Sequence, residues 1–232
     1  MAEIKGLEKF APKDFPGFIS STVFLGGCNF RCPYCHNAEL VLSPEKLQTF
    51  PVDYFLTYLD SRKGWLEGVC FTGGEPLIHS DLEVLLSAVK KRDLLVKLDT
   101  NASYPERLEE LMQDGLIDYV AVDIKTSPER YSEAVGVDVN FEDIQRSIDL
   151  IKDSGLRSMF RITAVPGLVD KEDIERIAHL LSGAELFQIQ QFMPVNTLDP
   201  SYQKKRPYSQ EELQSLAEVA EPFFSKIQIE GI

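Results

Sequence analysis

The sequence predicts an α/β fold of parallel strands with outer helices, and three observations carry that expectation. Strand-like and helix-like hydrophobic periods alternate along nearly all of the 232 residues. Six strand candidates are each followed by a helix candidate. Polar residues gather just past the strand ends. Strand–helix–strand units imply parallel pairing with right-handed crossovers. Periodicity leaves open whether the sheet stays open or curls into a barrel. In both cases a ligand site belongs at the carboxyl ends of the strands.

The first strand candidate is FISSTVFL (18–25), rich in β-branched and aromatic residues, and a cysteine loop follows it. Val52, Phe55, Leu56 and Leu59 lie on one helical face. GVCFTGGE (68–75) is a strand running into a glycine turn. Ser80 and Glu83 form a capping box before a helix striped by Leu82, Leu85, Leu86 and Val89. VKLDTN (96–101) is the third strand. Pro105 can open the next helix at its first position, with Leu108, Leu111 and Met112 inward. DYVAVDIK (118–125) precedes a helix through Phe141, Ile144, Ile148 and Ile151. SMFRITAVPG (158–167) precedes one through Ile174, Ile177, Ala178 and Leu181. After LFQIQQFMP (186–194) comes a polar loop, 195–208, long enough to cover a site. Ser209 and Glu212 make a second capping box before Leu213, Leu216, Ala217 and Ala220. IQIEG (227–231) reads as a short last strand. No linker, repeat or low-complexity stretch interrupts the chain, so one domain is expected over 1–232.

The composition is 44% hydrophobic and 26% charged, with a net charge of −13. Such an acidic chain is a poor candidate for general nucleic-acid or anionic-membrane binding, and Lys204, Lys205 and Arg206 read as a solvated loop. No stretch approaches the ~20 apolar residues of a membrane helix. The start, MAEIKGLEKFAPKDF, has acidic residues and no apolar core, so no signal peptide is expected. A cytoplasmic protein follows, and there clustered cysteines more often mean metal or redox chemistry than disulfides.

Three of the four cysteines, Cys28, Cys32 and Cys35, fall within GGCNFRCPYCHN (26–37). Two readings compete. Zinc wants four ligands, and His36 is a candidate fourth, but it adjoins Cys35 and no second cysteine pair exists. A [4Fe–4S] cube takes one thiolate per iron, and three cysteines would leave one iron open to a cosubstrate. Cys70, in a strand, points more naturally into the core. Other polar residues converge at the strand ends: Thr72–Pro76, Asp99–Asn101, Asp123–Lys125, Arg161, Gly167 and Pro194–Asn196.

CNFRCPYC resembles the signature of the radical S-adenosylmethionine (SAM) superfamily, with Tyr34 as the aromatic residue before the third cysteine. GGEP (73–76) resembles that family's turn for the SAM amino group. YCHN, LDTN, DIK and VPG are similar to the glycyl-radical-enzyme activases, and above all to the activating proteins of anaerobic ribonucleoside-triphosphate reductase. The resemblance runs from about residue 18 to 195. It implies a partial (β/α)6 barrel, a [4Fe–4S] cluster on Cys28, Cys32 and Cys35, and SAM as cosubstrate. It implies that Gly73 and Gly74 let the backbone approach the methionine end and that Glu75 assists. Tyr34 would lie near the adenine. Asp99 and Asp123 would hold a monovalent cation or the ribose, and Lys125 would oppose the SAM carboxylate. Asn196 stands where the pyruvate formate-lyase activases carry a ribose-binding histidine, which counts against that partner. The implied partners are a large glycyl radical enzyme and a low-potential electron donor such as flavodoxin or ferredoxin. Docking is expected at Ala38–Leu42 and the 195–208 loop.

Plainer readings stand beside these. Asp99 can be a turn former, Asp123 and Lys125 a structural ion pair, and Arg161 structural. His36, His79 and His179 read as exposed. Two other functions remain open: a radical SAM enzyme acting on a small molecule, such as a deazapurine or tetrapyrrole precursor, and a non-enzymatic iron–sulfur or zinc protein.

Overall fold

The alternating periods become alternating elements over residues 2–231, which the computed structural model describes. The chain divides into two units, each drawing on separate stretches. The first takes residues up to Asn29, Glu39–Thr100 and Tyr104–Val120. The second takes Phe30–Ala38, Asn101–Ser103 and the chain from Ala121 onward.

In the first unit, strands β1 (Ile4–Glu8), β2 (Ser20–Leu25), β3 (Gly68–Gly73) and β4 (Leu95–Thr100) lie side by side in chain order. β2 pairs parallel with β3, and β3 with β4, as the crossovers require. β1 was not expected. It pairs antiparallel with β2 and its register shifts between Ile4 and Gly6. Its five residues include Lys5 and Glu8 and no β-branched run, so nothing in the pattern announces a strand. Lys5 is nevertheless buried, its ammonium bonded to Thr49 Oγ1 at 2.8 Å and paired with Glu3.

Helix α1 (Ala38–Leu42), which begins at the boundary of the two units, occupies the stretch expected to serve docking. α2 (Val52–Ser61) buries Phe55, Tyr58 and Leu59, and α3 (Leu82–Lys90) buries all four residues of its stripe. The capping box expected at Ser80 does not form. Asp81 is the N-cap without a side-chain capping bond, its Oδ1 accepting instead from Ala2 N–H at 2.9 Å, and the Glu83 carboxylate is taken by Arg107 at 2.7 Å. α4 (Pro105–Gln113) does start on its proline.

β5 (Tyr119–Ile124) begins in the first unit and ends in the second. The second unit continues with α5 (Tyr131–Val135), α6 (Phe141–Ser154), β6 (Arg157–Ala164), α7 (Lys171–Leu180), β7 (Leu186–Gln191), α8 (Gln210–Ala220) and β8 (Lys226–Glu230). β6, β7 and β8 pair parallel in that order, so the short last strand is present. The Ser209–Glu212 capping box forms, and a second, unforeseen one joins Asp170 and Asp173 ahead of α7. The core fills with alternating β-branched and aromatic side chains, among them Val122, Phe160, Ile162, Phe187 and Ile189, all at most 1% exposed. The 195–208 loop holds a 3-10 turn at Pro200–Lys204. No helix among the described residues is long and apolar enough to cross a membrane.

Candidate active site

In the first unit the chain leaves β2 at Leu25 and passes through Gly26 and Gly27 to Cys28. β3 ends at Gly73 and turns through Gly74 and Glu75. Backbone bonds join these two turns. Gly74 N–H donates to the Leu25 carbonyl at 2.9 Å, Glu75 N–H to Gly27 at 2.8 Å, and Gly27 N–H to Leu40 at 2.7 Å. A Cβ on Gly73, whose φ is +123°, would stand 2.4 Å from the Leu25 backbone, and one on Gly74 would stand 1.7 Å from the Gly27 carbonyl oxygen. Both glycines are therefore demanded by the packing of turn against loop, before any ligand is considered. His79, expected at the surface, is half-buried and donates from Nε2 to the Gly26 carbonyl at 2.9 Å. A carbonyl can only accept, so this bond fixes the ring tautomer.

Glu75 is 1% exposed. Its Oε1 accepts from Leu77 N–H at 3.1 Å and from Thr100 Oγ1 at 2.7 Å, which ties the glycine turn to the end of β4. Asp99 faces back along the same strand, pairs with the Lys97 ammonium and accepts from Cys70 Sγ at 3.5 Å. Lys97 and Cys70 are themselves buried, so Cys70 does sit in the core. Tyr104, overlooked in the sequence, has its hydroxyl pushed up by burial and by the nearby Glu75 carboxylate and Cys28 thiol.

In the second unit Cys32 is buried and Cys35 half-buried, and none of the four cysteines is in a disulfide. Burial pushes the Cys35 thiol up, while Lys125 pulls the other way. Tyr34 is buried and its hydroxyl has no hydrogen-bond partner among the described residues. Burial, then Cys32, Tyr131 and Asp123, pushes that phenol up. Asp123 lies between two cations, 2.7 Å from Arg161 Nε and 3.3 Å from Lys125 Nζ. Burial alone would raise its carboxyl, but Arg161 and Lys125 outweigh it and hold the group well below the usual carboxylate range. Lys125 is held up in turn: burial opposes its charge, and Asp123, Cys32 and Cys35 outweigh burial. The expected ion pair thus exists, with Arg161 as a third member.

His36 is engaged rather than free. Its Nδ1–H donates to the Val195 carbonyl at 3.1 Å, and its ring stacks near Phe192 with 6.5 Å between centroids. Asn196 is exposed at φ +51°, a left-handed conformation that asparagine tolerates better than most residues.

A family model described as the radical SAM superfamily matches residues 22–181. The chain belongs to the radical SAM superfamily. A protein of Methanocaldococcus jannaschii named for a glycyl-radical enzyme activating enzyme is 33% identical over 236 aligned positions, covering 100% of this chain and 97% of its own. The pyruvate formate-lyase-activating enzyme of Clostridium pasteurianum is 29% identical, covering 85% of this chain and 84% of its own. The chain is of the glycyl-radical-activase type within the superfamily. Streptococcus suis SuiB bound to S-adenosylmethionine matches with a TM-score of 0.69 at 19% identity, covering 88% of this chain and 48% of SuiB. This chain therefore spans about half of SuiB, and the likeness shows the α/β fold of the radical SAM type.

The superfamily implies a [4Fe–4S] cluster and SAM, and the donor set fits them. Three reduced thiols share one loop, and the unpartnered Tyr34 hydroxyl lies beside two of them. Among the described residues no three His, Cys, Asp or Glu side chains are grouped as around a single ion. A cube does not ask for that, because each iron takes its own thiolate.

Proposed function

We propose that this protein is a radical SAM activase that generates a glycyl radical on a larger enzyme, anaerobic ribonucleoside-triphosphate reductase. The observation that carries the reading is the fusion of the cysteine loop with the glycine turn through the Gly74, Glu75 and Gly27 backbone. A fixed turn beside a thiol loop is what a cosubstrate chelated at an open iron requires, and an electron carrier needs no such turn. A cluster bound by Cys28, Cys32 and Cys35 would supply the electron for reductive cleavage of SAM, the chemistry from which hydrogen-atom removal at the partner's glycine would follow.

The chain's own residues bind and orient. Cys28, Cys32 and Cys35 are the ligands, and the carbonyls of the Gly73–Gly74 turn, with Glu75, receive the SAM ammonium. Tyr34 borders the adenine. Asp99, Asp123 and Asn196 serve the ribose side. Lys125 and Arg161 share one carboxylate, which leaves a net positive charge to meet the SAM carboxylate. One radical SAM core over 1–232, working in the cytoplasm with flavodoxin or ferredoxin as donor, completes the reading. Asn196, in place of a histidine, favours the reductase over pyruvate formate-lyase.

Anaerobic reconstitution should load about four irons per chain. Cys28→Ala, Cys32→Ala and Cys35→Ala should each abolish the full signal, and Cys70→Ala should not. Reduced protein, SAM and the reductase should then give a glycyl-type EPR doublet that disappears when the reductase's glycine is changed to Ala. Turnover of a small metabolite with no radical on the reductase would replace this reading with the small-molecule one.

A further inference from the structure

The half of the cysteine loop that carries Cys32 and Cys35 has no helix or strand to shape it. Within the loop, Cys35 N–H donates to the Cys32 carbonyl at 3.0 Å. Further backbone bonds reach it from far along the chain. Leu198 N–H donates to the Cys35 carbonyl at 3.0 Å, and Asp199 N–H to the Pro33 carbonyl at 2.9 Å. His36 reaches the Val195 carbonyl from the loop side. Thr197 is buried, and its hydroxyl donates to the Asp199 carbonyl at 2.7 Å, which holds the donating segment in shape. The segment is anchored behind as well. Lys205 Nζ donates to the Pro166 carbonyl at 3.1 Å and lies over the Tyr202 ring, and Tyr208 donates to the Val169 carbonyl at 2.8 Å.

The opposite flank of the loop is held too. Arg31 N–H donates to the Val135 carbonyl at 2.7 Å. Gly136, at φ +68°, brings the end of α5 so close that a Cβ would stand 2.6 Å from the Arg31 carbonyl oxygen.

We infer that Val195–Asp199 is a clamp that positions Cys32 and Cys35, with Leu198 and Asp199 as positioning residues acting through their backbone N–H groups. This rests on the reading that the loop holds a cluster. A three-residue spacing between two ligands leaves many separations open to a free loop, and a cube accepts only one. The clamp selects that separation before loading. The coupling is reciprocal by linkage: if the clamp favours the loaded loop, loading must favour the closed clamp by the same factor.

The experiment uses the full chain, first stripped of iron and then reconstituted anaerobically. Hydrogen exchange of the 195–205 segment should slow on loading. Leu198→Pro removes the donating N–H, whereas Leu198→Ala keeps it. Under a ferrous chelator Leu198→Pro should lose iron about fivefold to tenfold faster than wild type, the equivalent of one hydrogen bond, and Leu198→Ala should stay near wild type. The reduced cluster of Leu198→Pro should also show an altered EPR signature. If Leu198→Pro does not fold, Lys205→Met tests the rear anchor through the same exchange and chelation readouts, and faster exchange and iron loss are expected. Unchanged exchange at 195–205 on loading, or iron loss and EPR in the folded variant equal to wild type, would overturn the clamp. Failure of the wild type to load iron at all would instead overturn the proposed function.

Discussion

A methyl group on Gly74 would have to displace the Gly27 carbonyl, 1.7 Å away, whereas one on Gly115 would meet nothing within 4 Å despite a φ of +65°. The two positions separate crowding from backbone preference. Gly115→Ala should cost about 1–2 kcal/mol, the left-handed penalty alone. Gly74→Ala should cost about 3 kcal/mol through forced backbone movement, and it should weaken iron loading because Gly27 adjoins Cys28. Denaturant melts and iron titration of the two variants check both halves. The family resemblance implies only that Gly74 lets the backbone approach the methionine end of SAM. The partner that a side chain there meets lies 47 residues earlier, so spacing could not announce it. Asp123 gives a second residue-scale test. Its folded carboxyl is depressed by Arg161 and Lys125, so its contribution is present above the unfolded value of about 4 and fades as pH falls toward the folded one. Asp123→Asn should be less stable than wild type by about 1–3 kcal/mol at pH 7, discounted from a fully buried pair because the side chain is 32% exposed. The gap should hold between pH 5 and 8 and narrow below about pH 4, as read from denaturant midpoints across that range.

At the scale of elements, the periods were legible because burial imposes them. The stripe Leu82, Leu85, Leu86 and Val89 is buried whole in α3. Caps were less legible, because several polar side chains compete for the same N–H groups. Ser80 and Glu83 have the spacing of a box, yet Arg107 captures Glu83. Asp170 forms a box with Asp173, an aspartate where the pattern asks for a glutamate or glutamine. Thermal melts should therefore rank three alanine variants. Asp170→Ala and Ser209→Ala should each lose about 1 kcal/mol, and Ser80→Ala should lose almost nothing. A loss at Ser80 equal to that at Ser209 would contradict the caps described above. β1 was missed for a related reason: an edge strand that buries a lysine stem carries no alternation to read.

On the scale of the whole molecule, the chain crosses between its two units more than once. Phe30–Ala38 belongs with the residues from Ala121 onward, although 82 positions separate them. The sequence showed an unbroken series of strand–helix units, and no composition shift marks these crossings. The cysteine motif itself was legible, since three cysteines in eight residues of a cysteine-poor chain stand out. What holds the motif was not: Leu198, Asp199 and Val135 act through backbone N–H and C=O groups that every residue but proline has in full. The interleaving makes a definite prediction about severed chains. A fragment of residues 121–232 lacks Arg31, Pro33, Cys35 and His36, whose bonds to Val135, Asp199, Leu198 and Val195 close the second unit around the loop. It should lack cooperative unfolding when expressed alone, because each lost hydrogen bond costs about 0.5–1.5 kcal/mol and marginal stability leaves only about 5–15 kcal/mol in total. Mixed with a fragment of residues 1–120 it should regain a cooperative melt, and the mixture should bind iron where neither fragment does. A cooperative melt of 121–232 alone would show that Phe30–Ala38 is dispensable to the second unit. The cysteine loop would then be an attachment to a finished fold rather than part of what completes it.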